Sequence, residues 1–419
     1  MKIQRCKGTR DLSPEEMVRF RLIEGVFRDC CLRCGYKEVK TPTLEYLHLF
    51  TSTGTLTPGK LNKVYSFLDW DGWSGERVVL RPDGTIPIAR LYIDSIEEEI
   101  AKLFYVTNVF IFEATGRKTR ERWQCGTELI GVSSPAADVE LMTLALDVVR
   151  KLKLKDIELR LSHVGLVKAL LQKLGLSAEQ QTQVFNQVMD GDTEALRRIK
   201  PVEPALEESL SLLLDLKGKS SGFLRNLQVL LNNGLPELKP HIDDFINIVD
   251  LLETLGCSYQ IDIASGRGFE YYTGVIFQLF MDDEKVGGGG RYDALIPLMG
   301  GGNIPASGFA LYLDRLMNLV KPEPPTNFQR ILVRAEPSEV ETLKESFNIA
   351  SRLREAGYVA ELNLGKQDLA DYRWIIDVQG GAPRLVLTDQ VRQKRLELKT
   401  ISEVVDILGG EGADKDSFA

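Results

Sequence analysis

Two long alternating stretches, residues 103–112 and 122–132, constrain the fold of this chain more than any other feature. Apolar and polar side chains alternate along each of them, and a loop rich in basic residues joins them. Such alternation is typical of strands that bury one face. Shorter β-branched and aromatic stretches at 36–40 and 77–81 are separated from them by turn residues. Together these stretches predict an antiparallel sheet.

The second alternating stretch, RWQCGTELIG, places Gln124, Gly126 and Glu128 on one face and mainly apolar side chains on the other. A glutamine and a glutamate on either side of a glycine suit a pocket for an amine or an imidazole N–H, because a carboxylate accepts charge-assisted hydrogen bonds. A solvated face of an antiparallel sheet would have the same pattern. The residues alone leave both interpretations open.

Helical signals surround the predicted sheet. Ser13-Pro14-Glu15-Glu16 predicts a capped helix start, and Ser134-Pro135 predicts a helix that runs through about Leu152. The pattern is mostly helical from 154 to 256, and strand signals then resume in YQIDIA and VIFQLF. A helix is expected at about 307–320. We therefore expect an α+β fold whose antiparallel sheet is interrupted by a helical insertion.

The length of 419 residues exceeds what one compact core accommodates. The proline-rich stretch KPEPPTNFQ predicts a linker, and strands alternate with helices beyond it, including a helix near 367–373. We expect a core at 1–325 with its insertion at about 165–256. A small α/β domain at 326–410 and a flexible tail at 411–419 follow.

Composition excludes several classes of protein. No apolar run reaches the roughly 18 residues of a membrane span, and the N-terminus MKIQRCKGTRDLSPEE lacks the apolar region of a secretory signal. We expect a cytoplasmic protein without membrane association. The three histidines are widely scattered, and the six cysteines lack zinc-finger spacing, so neither a metal site nor a hydrolytic triad is expected. The net charge of -8 argues weakly against general nucleic-acid binding.

Three further motifs contain candidate binding residues. In LRPDGT, a turn at Gly84 can direct Asp83 and Thr85 toward one point, although such turns are often only turns. In SGRGFEYY, flanking glycines let a ligand approach Arg267, with Tyr271 and Tyr272 on opposite faces; an ordinary glycine bulge remains the alternative.

VGGGGRYD, which precedes a probable helix, matches neither the phosphate-loop nor the dinucleotide-binding pattern. In SGFALYLDRL, Arg315 faces a nucleotide or pairs with Asp314.

In this order TPTLE, LRPDGT, NVFIFE, GRKTRERWQCGTELIG, SGRGFEYYTG, GGGGRYD and SGFALYLDRL resemble the histidine-tRNA ligase family. That family has a non-ligase relative, the regulatory subunit of ATP phosphoribosyltransferase, which serves the first step of histidine biosynthesis. The resemblance covers about 1–325 and implies a class II aminoacyl-tRNA synthetase core with six antiparallel strands, usually dimeric through residues around 36–50. The residues implied to surround L-histidine are Asp83, Thr85, Gln124, Glu128, Arg267, Tyr271 and Tyr272.

One position separates the two branches of the resemblance. Where ligases resemble F-R-x-E, with an arginine on the α-phosphate of ATP, this chain has Ile111 in NVFIFE. Loss of a preorganised cation at that point costs adenylation about 3 kcal/mol or more. Arg117, Arg120 and Arg122 in the loop, and Arg315 at the adenine-facing position, are the nucleotide-facing candidates that the resemblance leaves.

The sequence therefore favours a regulatory subunit that binds L-histidine and supports or feedback-regulates a short catalytic ATP phosphoribosyltransferase subunit, as a homodimer or hetero-oligomer. No cofactor is expected for it. A histidine-tRNA ligase, which would need ATP, magnesium and tRNA, is the alternative, and a catalytically inactive RNA-binding module is a third possibility. Residues 328–408 resemble an anticodon-binding domain only loosely and contain 12 basic against 13 acidic residues, so no basic RNA-binding face is obvious.

Overall fold

The computed structural model describes residues 3–56, 61, 63–70, 75–112, 119–173, 175–189, 217–231, 236–262, 271–321, 330–336, 339–365, 367–381 and 384–412. The chain divides into two compact units, Met1–Lys321 and Pro322–Ala419. No helix of the described ranges is both long and apolar enough to cross a membrane.

The described part of the first unit contains twelve strands. They are β1 (Lys37–Glu38), β2 (Leu44–Tyr46), β3 (Ser66–Trp70), β4 (Gly75–Leu80), β5 (Ala101–Phe110), β6 (Glu121–Ile130), β7 (Glu158–His163), β8 (Lys217–Gly218), β9 (Gln260–Asp262), β10 (Val275–Met281), β11 (Glu284–Arg291) and β12 (Ala306–Tyr312). Nine form one sheet in the order β1-β5-β6-β12-β11-β10-β7-β9-β8, and β2-β4-β3 form a second sheet. The main sheet is therefore larger than the six strands that the resemblance implied, and β1 and β9 join it through parallel pairing.

The helices of the described part of this unit are α1 (Pro14–Arg33), α2 (Leu47–Ser52), α3 (Thr85–Ser95), α4 (Pro135–Lys151), α5 (Val164–Lys173), α6 (Ala178–Met189), α7 (Ser221–Leu231), α8 (Lys239–Thr254), α9 (Leu295–Leu298) and α10 (Leu313–Leu319). Helix α1 begins at the predicted capping box. The Ser13 hydroxyl accepts a hydrogen bond from the Glu16 amide, and the Glu16 carboxylate accepts one from the Ser13 amide. The predicted start of α4 is confirmed as well, with Ser134 as its cap.

The main sheet has a core on each face. On one face Phe27, Phe104 and Phe309 belong to a cluster that α1, α4, α8 and α10 cover. On the other face Ile88 and Tyr105 belong to a second cluster, beneath α3 and α9. Side-chain alternation along β5 and β6 assigns residues to the two faces as the sequence predicts. Glu128 and Gln124 lie on the α3 face.

One prediction about β12 was wrong: residues 306–312 form a strand before helix α10, so no helix spans 307–320. The glycines at 287–290 precede helix α9, as expected, but they themselves lie within strand β11. The two strands pair antiparallel. A Cβ on Gly289 would lie 2.0 Å from the Gly308 carbonyl oxygen, so close packing against β12 requires glycine there. Pairing between strands overrides the weak strand propensity of glycine.

The described part of the predicted insertion is mainly helical: α5, α6, α7 and α8 follow β7, together with the two-residue strand β8. Residues 190–216 lie outside the described ranges. Helix α8 packs on α4 and contributes Phe245 and Ile248 to the core of the α4 face. The insertion is thereby anchored on the face of the sheet opposite α3.

The described part of the second unit contains β13 (Arg330–Glu336), α11 (Val340–Glu355), β14 (Val359–Leu362), β15 (Trp374–Gln379), β16 (Leu385–Asp389), β17 (Lys394–Leu398) and α12 (Ile401–Gly412). Its sheet has the order β14-β13-β15-β16-β17, with β13 parallel to both neighbours. The predicted succession of strand, helix and strand is confirmed for β13, α11 and β14. The helix expected near 367–373 is only a 3₁₀ turn, Leu369–Asp371, and β15, β16 and β17 then follow one another in the described residues, so the predicted alternation does not continue.

Candidate functional site

A buried carboxyl group lies at the centre of the α3 face of the main sheet. Glu128 on β6 is 1% exposed. Its Oε1 accepts hydrogen bonds from the Thr85 hydroxyl at 2.8 Å and the Tyr105 hydroxyl at 3.2 Å. Its Oε2 accepts one from the Tyr292 hydroxyl. Three hydroxyl groups from three separate elements therefore hold one side chain, which is not the environment of a solvated sheet face.

The register of β5 and β6 forms one wall of this site. Tyr105 lies directly opposite Gly126, and its hydroxyl also accepts a hydrogen bond from Gln124 Nε2 at 3.3 Å. A Cβ on Gly126 would lie 2.2 Å from the Tyr105 ring. The glycine between Gln124 and Glu128 therefore makes room for the tyrosine that links them.

The turn between β4 and α3 brings the predicted Asp83 and Thr85 to the same place. Asp83 is buried, and its carboxylate accepts a hydrogen bond from the Ile86 amide at 2.9 Å, at the start of α3. Thr85, the first residue of that helix, reaches Glu128. The D-G turn therefore directs a hydroxyl at the central carboxyl group, as the sequence suggested.

The floor of the site consists of backbone. Gly126 on β6, Gly308 and Ala310 on β12, and Gly288 and Gly290 on β11 share the α3 face by their register. A Cβ on Gly308 would lie 1.9 Å from Glu128 Oε2. Small residues on three neighbouring strands therefore let the Tyr105 ring and the Glu128 carboxyl group lie close against the backbone of the sheet.

Three tyrosine rings form the other side of the site. The ring centroids of Tyr271 and Tyr272 are 5.3 Å apart, and that of Tyr271 is 5.5 Å from that of Tyr292. The prediction that Tyr271 and Tyr272 point to opposite faces was wrong, because residues 271–274 form no strand along which side chains would alternate. Both predicted tyrosines lie in one aromatic cluster. Arg267 lies outside the described residues.

Burial controls the charge of the two acidic groups. Burial raises the pKa of Glu128 to about 8, although hydrogen bonds from Tyr292 and Thr85 oppose the rise. Burial likewise raises the pKa of Asp83 to about 6, against backbone amides that favour its charged form. At neutral pH Glu128 is therefore mostly an uncharged acid, and it becomes a carboxylate when a ligand supplies a compensating positive charge or N–H donor.

The predicted nucleotide-facing arginines Arg120 and Arg315 have protein partners. Arg120 donates to the Tyr65 hydroxyl at 3.1 Å and lies over the Phe112 ring. Arg315 pairs with Glu284 at 3.4 Å and donates to the Lys285 carbonyl oxygen. Arg117 lies outside the described residues.

Pairing of Arg315 with its neighbour Asp314 was a wrong alternative. Asp314 instead accepts hydrogen bonds from Arg10 and from the Trp123 amide. Adjacent residues of a helix point in different directions, which is why the two side chains have separate partners.

Ile111 continues the β5 row that includes Tyr105. Its amide donates to the Arg120 carbonyl oxygen at 2.9 Å, so strand pairing extends past the end of β5. Because side chains alternate along a strand, those of residues 105, 107, 109 and 111 all point to the α3 face. The apolar side chain therefore lies in line with the site, at the end away from Glu128.

Two residues of the site were not predicted. Tyr105 was detectable, because the register that places residue 126 opposite 105 puts the tyrosine over Gly126. Tyr292 follows the glycine run closely and was overlooked because the sequence analysis predicted no strand over that run. Alternation along the observed strand places Tyr292 on the same face as Gly290 and Gly288.

Known proteins of one family resemble this chain over most of its length. The sequence profile of the family described as Histidyl-tRNA synthetase matches residues 8–316. A Dehalococcoides mccartyi protein named ATP phosphoribosyltransferase regulatory subunit is 52% identical over 412 residues, covering 98% of this chain and 99% of its own length. A protein of Methanosarcina acetivorans named histidine–tRNA ligase is 31% identical over 432 residues, covering 98% of this chain and all of its own.

Solved structures show the same fold. A Bacillus halodurans structure described as an ATP phosphoribosyltransferase regulatory subunit/histidyl-tRNA synthetase has a TM-score of 0.77 at 24% identity, covering 91% of this chain and 100% of its own. Histidyl-tRNA synthetase from Nostoc sp. PCC 7120 has a TM-score of 0.75 at 17% identity, covering 98% and 100%. The chain belongs to the histidyl-tRNA synthetase family, on the branch of the ATP phosphoribosyltransferase regulatory subunits.

Proposed function

We propose that this protein is a regulatory subunit that binds free L-histidine in the Glu128 pocket and acts on a separate catalytic ATP phosphoribosyltransferase subunit. The name of the relatives at 52% identity supports the regulatory role. The observation that carries the binding proposal is Glu128 itself. Burial raises the pKa of this carboxyl group to about 8 and three hydroxyls from separate elements converge on it, and perturbed groups of this kind concentrate at functional sites.

Hydrogen-bond capacity defines what Glu128 can accept. A carboxylate offers about four acceptor positions. Thr85, Tyr105 and Tyr292 fill three of them, so about one position remains for a ligand N–H. An imidazole N–H or one N–H of an ammonium group meets that requirement. The aromatic cluster of Tyr271, Tyr272 and Tyr292 beside it supplies flat apolar surface for a ring.

Isothermal titration calorimetry with L-histidine tests the binding proposal, with the protein alone and with a short catalytic subunit present. We expect saturable binding, and a change in phosphoribosyltransferase activity when histidine is added to the complex. Absence of heat at millimolar histidine in both settings contradicts the proposal. Binding of tRNA without binding of histidine would favour an RNA-binding module instead.

A histidine-tRNA ligase is the second candidate, because a ligase of Methanosarcina acetivorans matches almost the whole chain. Ile111 argues against it: an isoleucine beside the site offers no positive charge to a phosphate, and an uncompensated buried charge is costly. ATP–pyrophosphate exchange distinguishes the two. We expect none from the unaltered protein, whereas robust exchange would establish the ligase. Exchange gained only by Ile111→Arg would show that this side chain separates the two functions.

Assembly as a homodimer is part of the proposal. The sheet β2-β4-β3 exposes Leu44, Tyr46, Phe67, Leu68 and Trp70, the last at 71%. By the strand register Leu44, Tyr46 and Phe67 lie on one face of this sheet, and Leu68 and Trp70 lie on the other. Exposed apolar side chains grouped on one element mark interaction surfaces. We propose that a second copy covers the face with Leu68 and Trp70 and that the assembly works in the cytoplasm. A monomer by light scattering at micromolar concentration would contradict the dimer.

A further inference from the structure

Two adjacent residues at the end of β11 connect the Glu128 pocket with the helical insertion. Arg291 pairs in register with Ser307 on β12, on the face of the sheet that α4 and α8 cover. Tyr292, the next residue, belongs to the core of the opposite face and donates its hydroxyl to Glu128. Because the two side chains project from adjacent residues, a shift of the strand at this point would displace both of them.

Arg291 is held by two acidic side chains from two helices. Its Nη1 lies 3.0 Å from Asp244 Oδ2 of α8, and its Nη2 pairs with Asp138 of α4. The exposed fractions of these side chains are 11% for Arg291, 23% for Asp244 and 2% for Asp138. Breaking a pair buried to this degree leaves a charge without compensation, so the arginine follows its partners.

Asp244 has a second partner, His163, which links helix α8 to strand β7. Its Oδ2 lies 3.3 Å from Nε2 of His163, and burial lowers the pKa of that histidine. The His241 ring of the same helix lies 5.4 Å from the His163 ring. Helix α8 is therefore held on the sheet by a polar cluster centred on Asp244 and Arg291.

The backbone around Tyr292 leaves little freedom to separate the two faces. The Arg291 carbonyl oxygen accepts a hydrogen bond from the Thr273 amide at 2.8 Å, and the Tyr292 amide donates to the Ala306 carbonyl oxygen at 2.7 Å. The Asp293 amide donates to the Thr273 hydroxyl at 3.0 Å. Three successive residues are tied in this way, so Arg291 and Tyr292 belong to one closely held stretch of backbone.

We propose that Arg291 and Asp244 are positioning residues of the ligand pocket: seating α8 against Arg291 places the Tyr292 hydroxyl on Glu128. Neither side chain touches the ligand. Ligand affinity and docking of the insertion are then linked, and the linkage is reciprocal, so ligand binding stabilises α8 in return. The inference rests on the proposed function for the identity of the ligand. It assigns the insertion a role in transmitting occupancy of the pocket.

A double-mutant cycle on L-histidine affinity tests this linkage. Asp244→Asn removes the charge and keeps the volume, and we expect it to weaken binding by roughly 5- to 10-fold, within the usual range of coupling between sites. In a Tyr292→Phe background the same change should have less than about a twofold effect, because the hydroxyl through which it acts is gone. Asp243→Asn is the matched control, since Asp243 lies on the same helix but pairs with Lys239. It should leave affinity unchanged.

An equal loss of affinity in both backgrounds overturns the inference and shows that Asp244 acts only through general stability. Unaltered affinity in Asp244→Asn overturns it as well. If the unaltered protein binds no histidine, the proposed function itself fails, which is a different result. If Asp244→Asn does not fold, amide hydrogen exchange of the unaltered protein tests the inference instead. Exchange along α8 should slow when L-histidine is added, and an unchanged exchange rate there overturns the inference.

Discussion

The charge of Glu128 should make the proposed histidine binding dependent on pH. With a pKa of about 8 in the free protein, the group is about one-hundredth ionised at pH 6, about one-tenth at pH 7 and about one-half at pH 8. A ligand N–H that requires the carboxylate must first release the proton. Affinity should therefore rise roughly fivefold from pH 7 to pH 8, and binding at pH 7 should release about 0.9 proton from this group.

Calorimetry at several pH values, in buffers of different ionisation enthalpy, measures both quantities. Glu128→Gln supplies the baseline, because a glutamine keeps the shape of the site but does not titrate, and any pH dependence that remains belongs to histidine itself. We expect the variant to bind more weakly by roughly 10- to 100-fold, the value of a hydrogen bond to a charged group. The reasoning is refuted if the histidine affinity of the unaltered protein is constant from pH 7 to pH 9. It is also refuted if the affinity of Glu128→Gln changes with pH as steeply as that of the unaltered protein.

Three further predictions concern stability, the floor of the pocket and assembly. The pKa of Glu128 is about 8 in the folded protein and 4.5 in the unfolded chain, so the folded state loses stability as pH rises from 4.5 through 8. Glu128→Gln does not titrate, and its Tm relative to that of the unaltered protein should therefore rise by several degrees between pH 6 and pH 9 in calorimetric scans. Gly308→Ala places a Cβ 1.9 Å from Glu128 Oε2, and calorimetric titration should show histidine binding weakened at least tenfold. Gly25→Ala in helix α1 is the control, because a Cβ there has nothing within 4 Å. It should leave binding unchanged and raise the free energy of unfolding by about 1 kcal/mol. Trp70→Ser should shift light scattering toward monomer, and Phe347→Ser, which removes a 60% exposed ring from the second unit, should not.

Alternation along single strands was enough to predict the polar half of the site. Gln124 and Glu128 each lie two residues from Gly126 on strand β6, so their shared face follows from local geometry alone. The capping box at Ser13 is equally local and was predicted to the residue. Contacts within one element need no knowledge of the rest of the chain.

The other half of the site depends on contacts between distant parts of the chain. Tyr292 reaches Glu128 across 164 positions of sequence. Its place became visible only once the glycine run was found in a strand, and that strand exists because β10 and β12 pair with it on both sides. Pairing of this kind has no local signal, since glycine by itself disfavours strands. The partner of Arg315 was missed for the same reason, because Glu284 belongs to β11.

The pocket and Ile111 together favour a sensor over a catalyst. A catalyst must hold ATP and stabilise the charge that develops at its α-phosphate, whereas a sensor needs only selective binding that alters a second surface. In the proposed pocket Glu128, Tyr105 and Tyr292 would provide the selective contact, while Ile111 contributes no positive charge on the same face. Arg291 lies next to Tyr292 and pairs with a helix of the insertion, which offers the proposed binding a physical route away from the pocket. The chain therefore has the contacts that a sensor needs, and it has an apolar residue where a catalyst needs a positive charge.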